Sequence, residues 1–348
     1  MFLGKVSKQS NFGTEQLILL LVVLMPLLTA LGFVVAPSVI VLFQWLGLCA
    51  PFFIFLNFIV LLGCLVLRRR YYLIIVLSLI NCICFIPFFL QWNTSSTSPE
   101  KIDLRVGSYN VRGMKGEYGF STLSNLVDFS QKNQLDVLFL QEVPFDYQED
   151  DLLEEFSDMR YVMFSNDGTS SGKRLAILSK YSLSAYKNLS YDDYSQYAMF
   201  ATLTLPNEKL MLVNCHLNTT NWNQLKRSKA SIISGGYQVM SDNSKRRELQ
   251  ALKIREVMNN TSYPLVVAGD FNEPPVSFSY HTIGGSLKDA FREAGNGYSY
   301  TYRYLSKLFR IDYIFYAGDR LEGYNYRTEE LNYSDHLPVM VDLVLKDI

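Results

Sequence analysis

Four carboxylates, several amides and two of the chain's three histidines stand at or beside the ends of apolar runs. Asn110 follows "VGSY", and Glu142 closes "LFLQ". Asn214 and His216 lie in "LVNCHLN", and Asp270 and Asn272 follow "LVVAG". Asp312 sits inside "RIDYIFY", and Asp335 and His336 precede "LPVMV". A carboxylate in an apolar strand is costly unless it is paired or bound to a metal. One such residue could be an accident. A set repeated at successive strand ends points to one polar site. The plain alternative for Asp270 and Asn272 is a turn, which both residues favour. Being two apart, they share a side in extended geometry.

The elements that carry these residues can be read from periodicity. "IDLRVGSYNV" alternates apolar and polar residues. "DVLFLQEV", "LAILSK", "YAMFATLTL", "KLMLVNCHL" and "PLVVAGDFN" read as strands, followed by "IDYIFY" and "LPVMVDLVL". "FSTLSNLVDFSQKN" and "SKRRELQALKIREVMNN" have helical spacing, the second through Leu249, Leu252, Ile254 and Val257. Gly269 permits a turn or a close backbone approach. Many strands with few helices between them favour sheets packed face to face with helices outside.

The N-terminal quarter differs. No charged residue lies between Glu15 and Arg68, or between Arg70 and Glu100. A membrane span needs about 20 apolar residues. The expected organisation is therefore an anchor over 1–91, with helices at about 17–36, 42–67 and 71–90 and a turn at "APS" (Ala36–Ser38). Trp45 and Trp92 are placed like interfacial anchors. A Ser/Thr/Pro linker follows over 92–101, and the soluble domain occupies 102–348. Lys5, Lys8 and Arg68–Arg70 put the N-terminus in the cytoplasm by the positive-inside rule, and three spans deliver the rest to the exoplasmic, periplasmic side of the cell membrane. A cleaved signal peptide would explain only the first apolar segment. The net charge of −1 provides no global field for nucleic acid. Four cysteines fall in the apolar segments and only Cys215 in the domain, which excludes a disulfide scaffold there.

"GDFN", then "RIDYIF", then "SDHLPV", with "QE" and N-x-H-L upstream, resembles the endonuclease/exonuclease/phosphatase superfamily over about Ile102–Leu345. These are metal-dependent phosphodiesterases and phosphatases related to pancreatic-type deoxyribonuclease. The resemblance implies an α/β catalytic domain, a four-layer α/β/β/α sandwich, here preceded by an all-α transmembrane region of three helices. It implies Mg²⁺, with Mn²⁺ as a substitute, held by Asn110, Glu142 and Asp335. Asp312 and His336 resemble the family's Asp–His pair, and His216 the second histidine of its nuclease branch. Asp270 and Asn272 would orient the attacking water, and Asn214, His216 and Asn272 would bind phosphate. Which of Asp270 and His336 removes the water's proton is left open, and His216 lacks an evident acidic partner.

The implied activity is phosphoester hydrolysis by in-line attack of water. The expected partners are the lipid bilayer and a phosphodiester substrate, a phospholipid head group or nucleic acid. A degenerate phosphate-binding module on the same fold is the alternative, against which every expected polar position is filled. Lys173, Arg174 and the basic stretches Leu225–Lys229 and Ser244–Arg247 read as solvated charge, and His281 as structural.

Overall fold

Two six-stranded sheets lie face to face in the computed structural model. It describes residues 13–68, 71–93, 99–116, 119–165, 172–190, 196–219 and 232–346. Lys5, Lys8, Arg69, Arg70, Leu225–Lys229 and residues 94–98 of the expected linker lie outside the described residues.

The chain begins with four apolar helices, α1 (Thr14–Val34), α2 (Leu42–Leu48), α3 (Ala50–Val66) and α4 (Tyr72–Phe85). A short strand, β1 (Leu90–Trp92), comes next. The first sheet contains β2 (Leu104–Asn110), β3 (Val137–Pro144), β4 (Tyr161–Phe164) and β5 (Lys173–Ser179), with β13 (Leu321–Thr328) and β14 (Val339–Leu345), in the order β13-β14-β2-β3-β5-β4. The second contains β6 (Ser182–Ser190), β7 (Gln196–Thr204), β8 (Lys209–His216), β9 (Leu265–Asp270), β10 (Lys288–Asp289) and β12 (Asp312–Tyr316), in the order β10-β12-β9-β8-β7-β6. Among the described residues strand β11 (Asn296–Tyr298) pairs only with β1.

Alternation sorts the side chains into layers. Val106, Phe139, Leu175, Leu212, Ala268 and Ile314 form the core between the sheets. Residues of the opposite parity pack outward. Those of the first sheet, such as Leu138 and Ala176, meet the helix Leu123–Lys132. Those of the second, such as Val213 and Val267, meet the helices Ile232–Met258 and Phe278–Gly284. The long helix turns Ala251, Ile254, Val257 and Met258 inward, whereas Leu249 and Leu252, expected on that face, are 49% and 45% exposed. Arg247, Ala251, Ile254 and Met258 follow the 3.6-residue period and leave those two leucines on its far side.

The apolar helices pack on the same outer face. Ala50 and Ile54 of α3 and Phe85 of α4 join the core outside the second sheet, with Leu27, Ala30 and Phe33 of α1 against it. Arg310 is buried, pairs with Asp289 at 2.8 Å and donates to the Phe88 carbonyl at 3.2 Å. Ser38 donates twice to Glu248 at 2.7 Å, so the expected turn is tied to the long helix. Away from the sheets, Asn81 donates to the Val23 carbonyl at 2.8 Å and to Asn57 at 3.1 Å, polar contacts of the kind that hold helices together in lipid.

Three expectations about this region change. The segment 42–67 is not one helix: α2 and α3 meet at 66°. Cys49, with φ of −88° and ψ of 0°, departs from helical geometry between them, and Pro51, which has no N–H to donate, lies in the first turn that follows. The third apolar segment is shorter than a typical span, Tyr72–Phe88 with its closing turn. Among the described residues α1 alone is long and apolar enough to cross a membrane, or up to two segments are if the bent pair counts as one. Finally, the linker start is not free, because Trp92 lies in β1 opposite Asn296.

Candidate active site

The inter-sheet parity, extended to the strand ends, assembles the polar residues. Asn110 ends β2, His216 ends β8, Asp270 ends β9 and Asp312 starts the antiparallel β12. All four continue the rows that form the inter-sheet core, so each emerges where the two sheets open. Gly269 has φ of 137°, and a Cβ there would meet the Cys215 carbonyl oxygen at 1.9 Å. Only glycine lets β9 run this close to β8 and bring Asp270 opposite His216.

Glu142 reaches the site differently. The β3–β5 ladder slips between Leu140 and Val143, and Glu142 takes a φ of 61°. The bulge lets Gln141 keep the inter-sheet position while the next side chain still faces the cleft. Gln141 donates to Ser108 at 3.2 Å and to Asn214 at 2.8 Å. Asn214 in turn donates to the carbonyls of Leu140 at 2.9 Å and Ala176 at 2.8 Å. It is fully buried between the sheets and does not line the cleft, so the expected phosphate contact is not where this side chain lies.

Glu142, His216, Asp270, Asn272, Asp335 and His336 line one cavity of about 460 Å³, and Asn110 and Asp312 stand behind it, hydrogen-bonded to its lining. His336 Nδ1 is 2.9 Å from Asp312, and its Nε2 is 3.7 Å from Asp270. Burial opposes the charge on His336, but Asp312 and Asp270 outweigh it and hold the imidazole protonated. Burial lifts the Asp270 carboxyl to about 6; Asp312 adds to this, and His336 and His216 pull against it. Asp270 accepts from the Asn272 N–H at 2.8 Å and from Asn110 at 3.0 Å. Asn272 is left-handed, with φ of 52°, and also donates to the Leu217 carbonyl at 3.0 Å. The stretch is therefore both a turn and part of the polar cluster. His216 Nε2 has two acidic neighbours, Glu142 at 3.7 Å and Asp270 at 3.8 Å, which the sequence did not reveal.

Glu142 forms an ion pair with Lys173 and accepts from Asn110 at 3.3 Å. Burial would raise its carboxyl, but His216, Lys173 and Asn110 hold it down at about 2. It is therefore ionised at neutral pH. Asp335 lies 3.7 Å from Arg112 and is anchored through Ser334, which donates to the Asn110 carbonyl at 2.7 Å. The carboxylates of Glu142 and Asp335 are oxygen donors of the kind a hard divalent cation takes. Lys173 supplies the positive charge beside Glu142. Asn110 turns its NH₂ to the carboxylates and its oxygen to the Arg112 N–H at 3.0 Å, so it orients donors here. The atoms of Asp270, Asp312 and His336 also come within 4.8 Å of one another, but the hydrogen bond inside that group occupies His336 Nδ1.

Several contributors were missed. Lys173 shares the parity of Leu175 and Ile177, a signal that places it at the cleft rather than on the surface. Arg174 is buried, stacked 3.5 Å over Phe164. Arg247, expected as solvated charge, is buried against Glu273 at 2.7 Å. His281 is structural as expected, with its ring 3.7 Å from that of Phe33.

The Endonuclease/Exonuclease/phosphatase family model matches residues 107–336, and the chain belongs to that family, hydrolases acting on phosphoric ester bonds. It is similar in fold to an endonuclease/exonuclease/phosphatase from Beutenbergia cavernae (TM-score 0.52, 17% identity, 70% of this chain and 72% of that one). A second, from Bacteroides vulgatus, matches with TM-score 0.52 and 20% identity over 71% of this chain and all 100% of that one. The human Nocturnin catalytic domain, with bound sulfate anion, matches with TM-score 0.50 and 16% identity over 70% and 94%. Comparison with curated protein sequences gives no match.

Proposed function

We propose that this chain is a membrane-anchored, Mg²⁺-dependent phosphoesterase that cleaves a phosphodiester, or a phosphomonoester, by in-line attack of water. The carrying observation is the Asp312–His336 pair at 2.9 Å, set against Asp270 in a cleft that Glu142 and Asp335 also line. Glu142 and Asp335 would hold the divalent cation with Asn110 beside them, and Mn²⁺ could replace Mg²⁺. When bound, the ion neutralises charge on the transferring group.

The remaining roles belong to the chain's own side chains. Asp270, lifted towards neutrality by burial, accepts the proton of the attacking water. The new O–P bond forms as the bond to the leaving oxygen breaks. His336, held protonated by Asp312 and Asp270, donates to a phosphate oxygen. His216 returns a proton to the leaving oxygen, and Asn272 holds the Asp270 carboxylate and a phosphate oxygen in register.

The anchor reading takes α1, the bent pair α2–α3 and the shorter α4 as three crossings, with the domain beyond them on the exoplasmic side. In support, the C-terminal half of α1, the start of α3 and the end of α4 all pack on the catalytic domain. Their other ends, near Thr14, Val66 and Tyr72, then point away from it. A tether holds the site near a bilayer, where the effective concentration of lipid substrate is high. Extracellular nucleic acid is the second substrate class.

Two measurements test the proposal. Purified full-length protein should hydrolyse bis-p-nitrophenyl phosphate with Mg²⁺ and lose that activity with chelator. No metal-dependent hydrolysis of this ester, DNA, RNA or phospholipid would overturn the activity. A reporter fused after Ile348 should be active outside the cytoplasm, and activity confined to the cytoplasm would reverse the topology.

A further inference from the structure

The cavity that holds the catalytic groups has a second, apolar wall, and most of it does not come from the strand ends. Trp45 and Leu48 of α2 and Cys49 at its end form one side. Met240, Phe309 and Ile311 complete it. Helix α2 is fastened in place. Gln44 donates to the Gly32 carbonyl at 3.0 Å and accepts from the Phe278 N–H at 3.2 Å. The Trp45 ring stands edge-on to Tyr237, with centroids 4.8 Å apart. The wall is therefore built into the cleft.

Resting on the phosphoesterase reading, we infer that helix α2 is a wall of the substrate site, and that the substrate carries an alkyl chain beside the scissile phosphate: a lipid phosphoester.

Three observations favour that chemistry. No charged residue lies between Glu15 and Arg68, so α2 brings no cation to track a polyanionic backbone. A cavity of about 460 Å³ takes a head group and the first methylenes of a chain. Leu42, Phe52 and Phe55 on α2 and α3 are 52%, 62% and 63% exposed, so the helix that carries the wall and the one after it also present apolar surface outward. An alkyl chain can stay in apolar surroundings while its phosphate reaches Asp270. The N-terminal region is thus part of the specificity machinery as well as a tether.

The test is a chain-length series. Alkyl p-nitrophenyl phosphates from methyl to hexyl are assayed with full-length protein in dodecyl maltoside, beside thymidine 5′-p-nitrophenyl phosphate. For methylenes that reach the wall, kcat/KM should rise about fourfold each, as expected for burial of a CH₂. The double variant Trp45→Ala/Leu48→Asn should flatten that rise. If it fails to fold, Met240→Asn, on a different element, should flatten it instead. A flat series in the wild type, with the methyl ester still cleaved, overturns the apolar wall and leaves the phosphoesterase reading standing. An equal rise in wild type and variants means partition into the micelle alone and also overturns it. Preference for the thymidine ester over the hexyl ester assigns the cleft to nucleic acid. Failure to cleave any ester overturns both readings.

Discussion

Asn214 reaches from the second sheet to the Leu140 carbonyl of the first at 2.9 Å, at the point where the β3 ladder slips and Glu142 turns into the cleft. The amide also takes the Ala176 carbonyl and receives Gln141, so one side chain plugs the bulge from across the sandwich. A residue placed among the phosphate ligands by its neighbourhood in sequence is a clamp on the strand bulge that aims a carboxylate.

Asn214→Ala should therefore act on stability and on Glu142. Leaving buried polar groups without partners costs about 1–3 kcal/mol each. The expected outcome is a lowered Tm and a raised Mg²⁺ requirement, with KM for bis-p-nitrophenyl phosphate unchanged. Thermal melts and a Mg²⁺ titration check this. A raised KM at unchanged Tm would return Asn214 to phosphate binding.

Asp312 and His336 should behave as one unit. Either Asp312→Asn or His336→Ala should lower kcat/KM by at least about 10²-fold. The double variant should be little worse than His336→Ala, because Asp312 acts through its partner. Multiplicative losses, or a Tm drop with near-normal activity in Asp312→Asn, would separate the two residues.

The ionised form of Glu142 contributes stability that depends on pH. Its carboxyl falls from 4.5 to about 2 in the folded chain. The contribution is fully present above pH 4.5, and it disappears as pH falls through about 2. Glu142→Gln should lower the Tm of metal-free protein above pH 4.5, with the gap to wild type closing towards pH 2. A gap that is constant across this range would mean that Lys173 and His216 do not stabilise the charge. At neutral pH the same variant should lose Mg²⁺-stimulated hydrolysis.

Arg310 is buried between Asp289 and the Phe88 carbonyl, where it joins catalytic domain to apolar helices. Arg310→Ala leaves Asp289 charged and unpaired, at a cost of about 3–5 kcal/mol. Arg310→Met with Asp289→Asn should recover much of that loss. Tm values for the single and the double variant check the pair.

Much of this arrangement is legible in the linear chain. Strands two residues in period, ending in Asn110, His216 and Asp270, already imply one polar end of a sandwich, because parity carries the core row into the cleft. The order of "GDFN", "RIDYIF" and "SDHLPV" identifies the chemistry, and the charge-free blocks mark the apolar helices. Lys173 was legible too, by the parity of Leu175 and Ile177, but an exposed charge is the usual state of a lysine. The bulge at Glu142 left no mark in the pattern, since a positive φ on a glutamate is imposed by cross-sheet contacts. The acidic neighbours of His216, 3.7 and 3.8 Å away, come from two different strands. The placing of Trp45 in the cleft was decided by packing on the catalytic domain. A charge-free apolar helix carries no local signal of whether lipid or protein covers it, and only the tertiary fold sets Trp45 in the cavity that Asp270 lines.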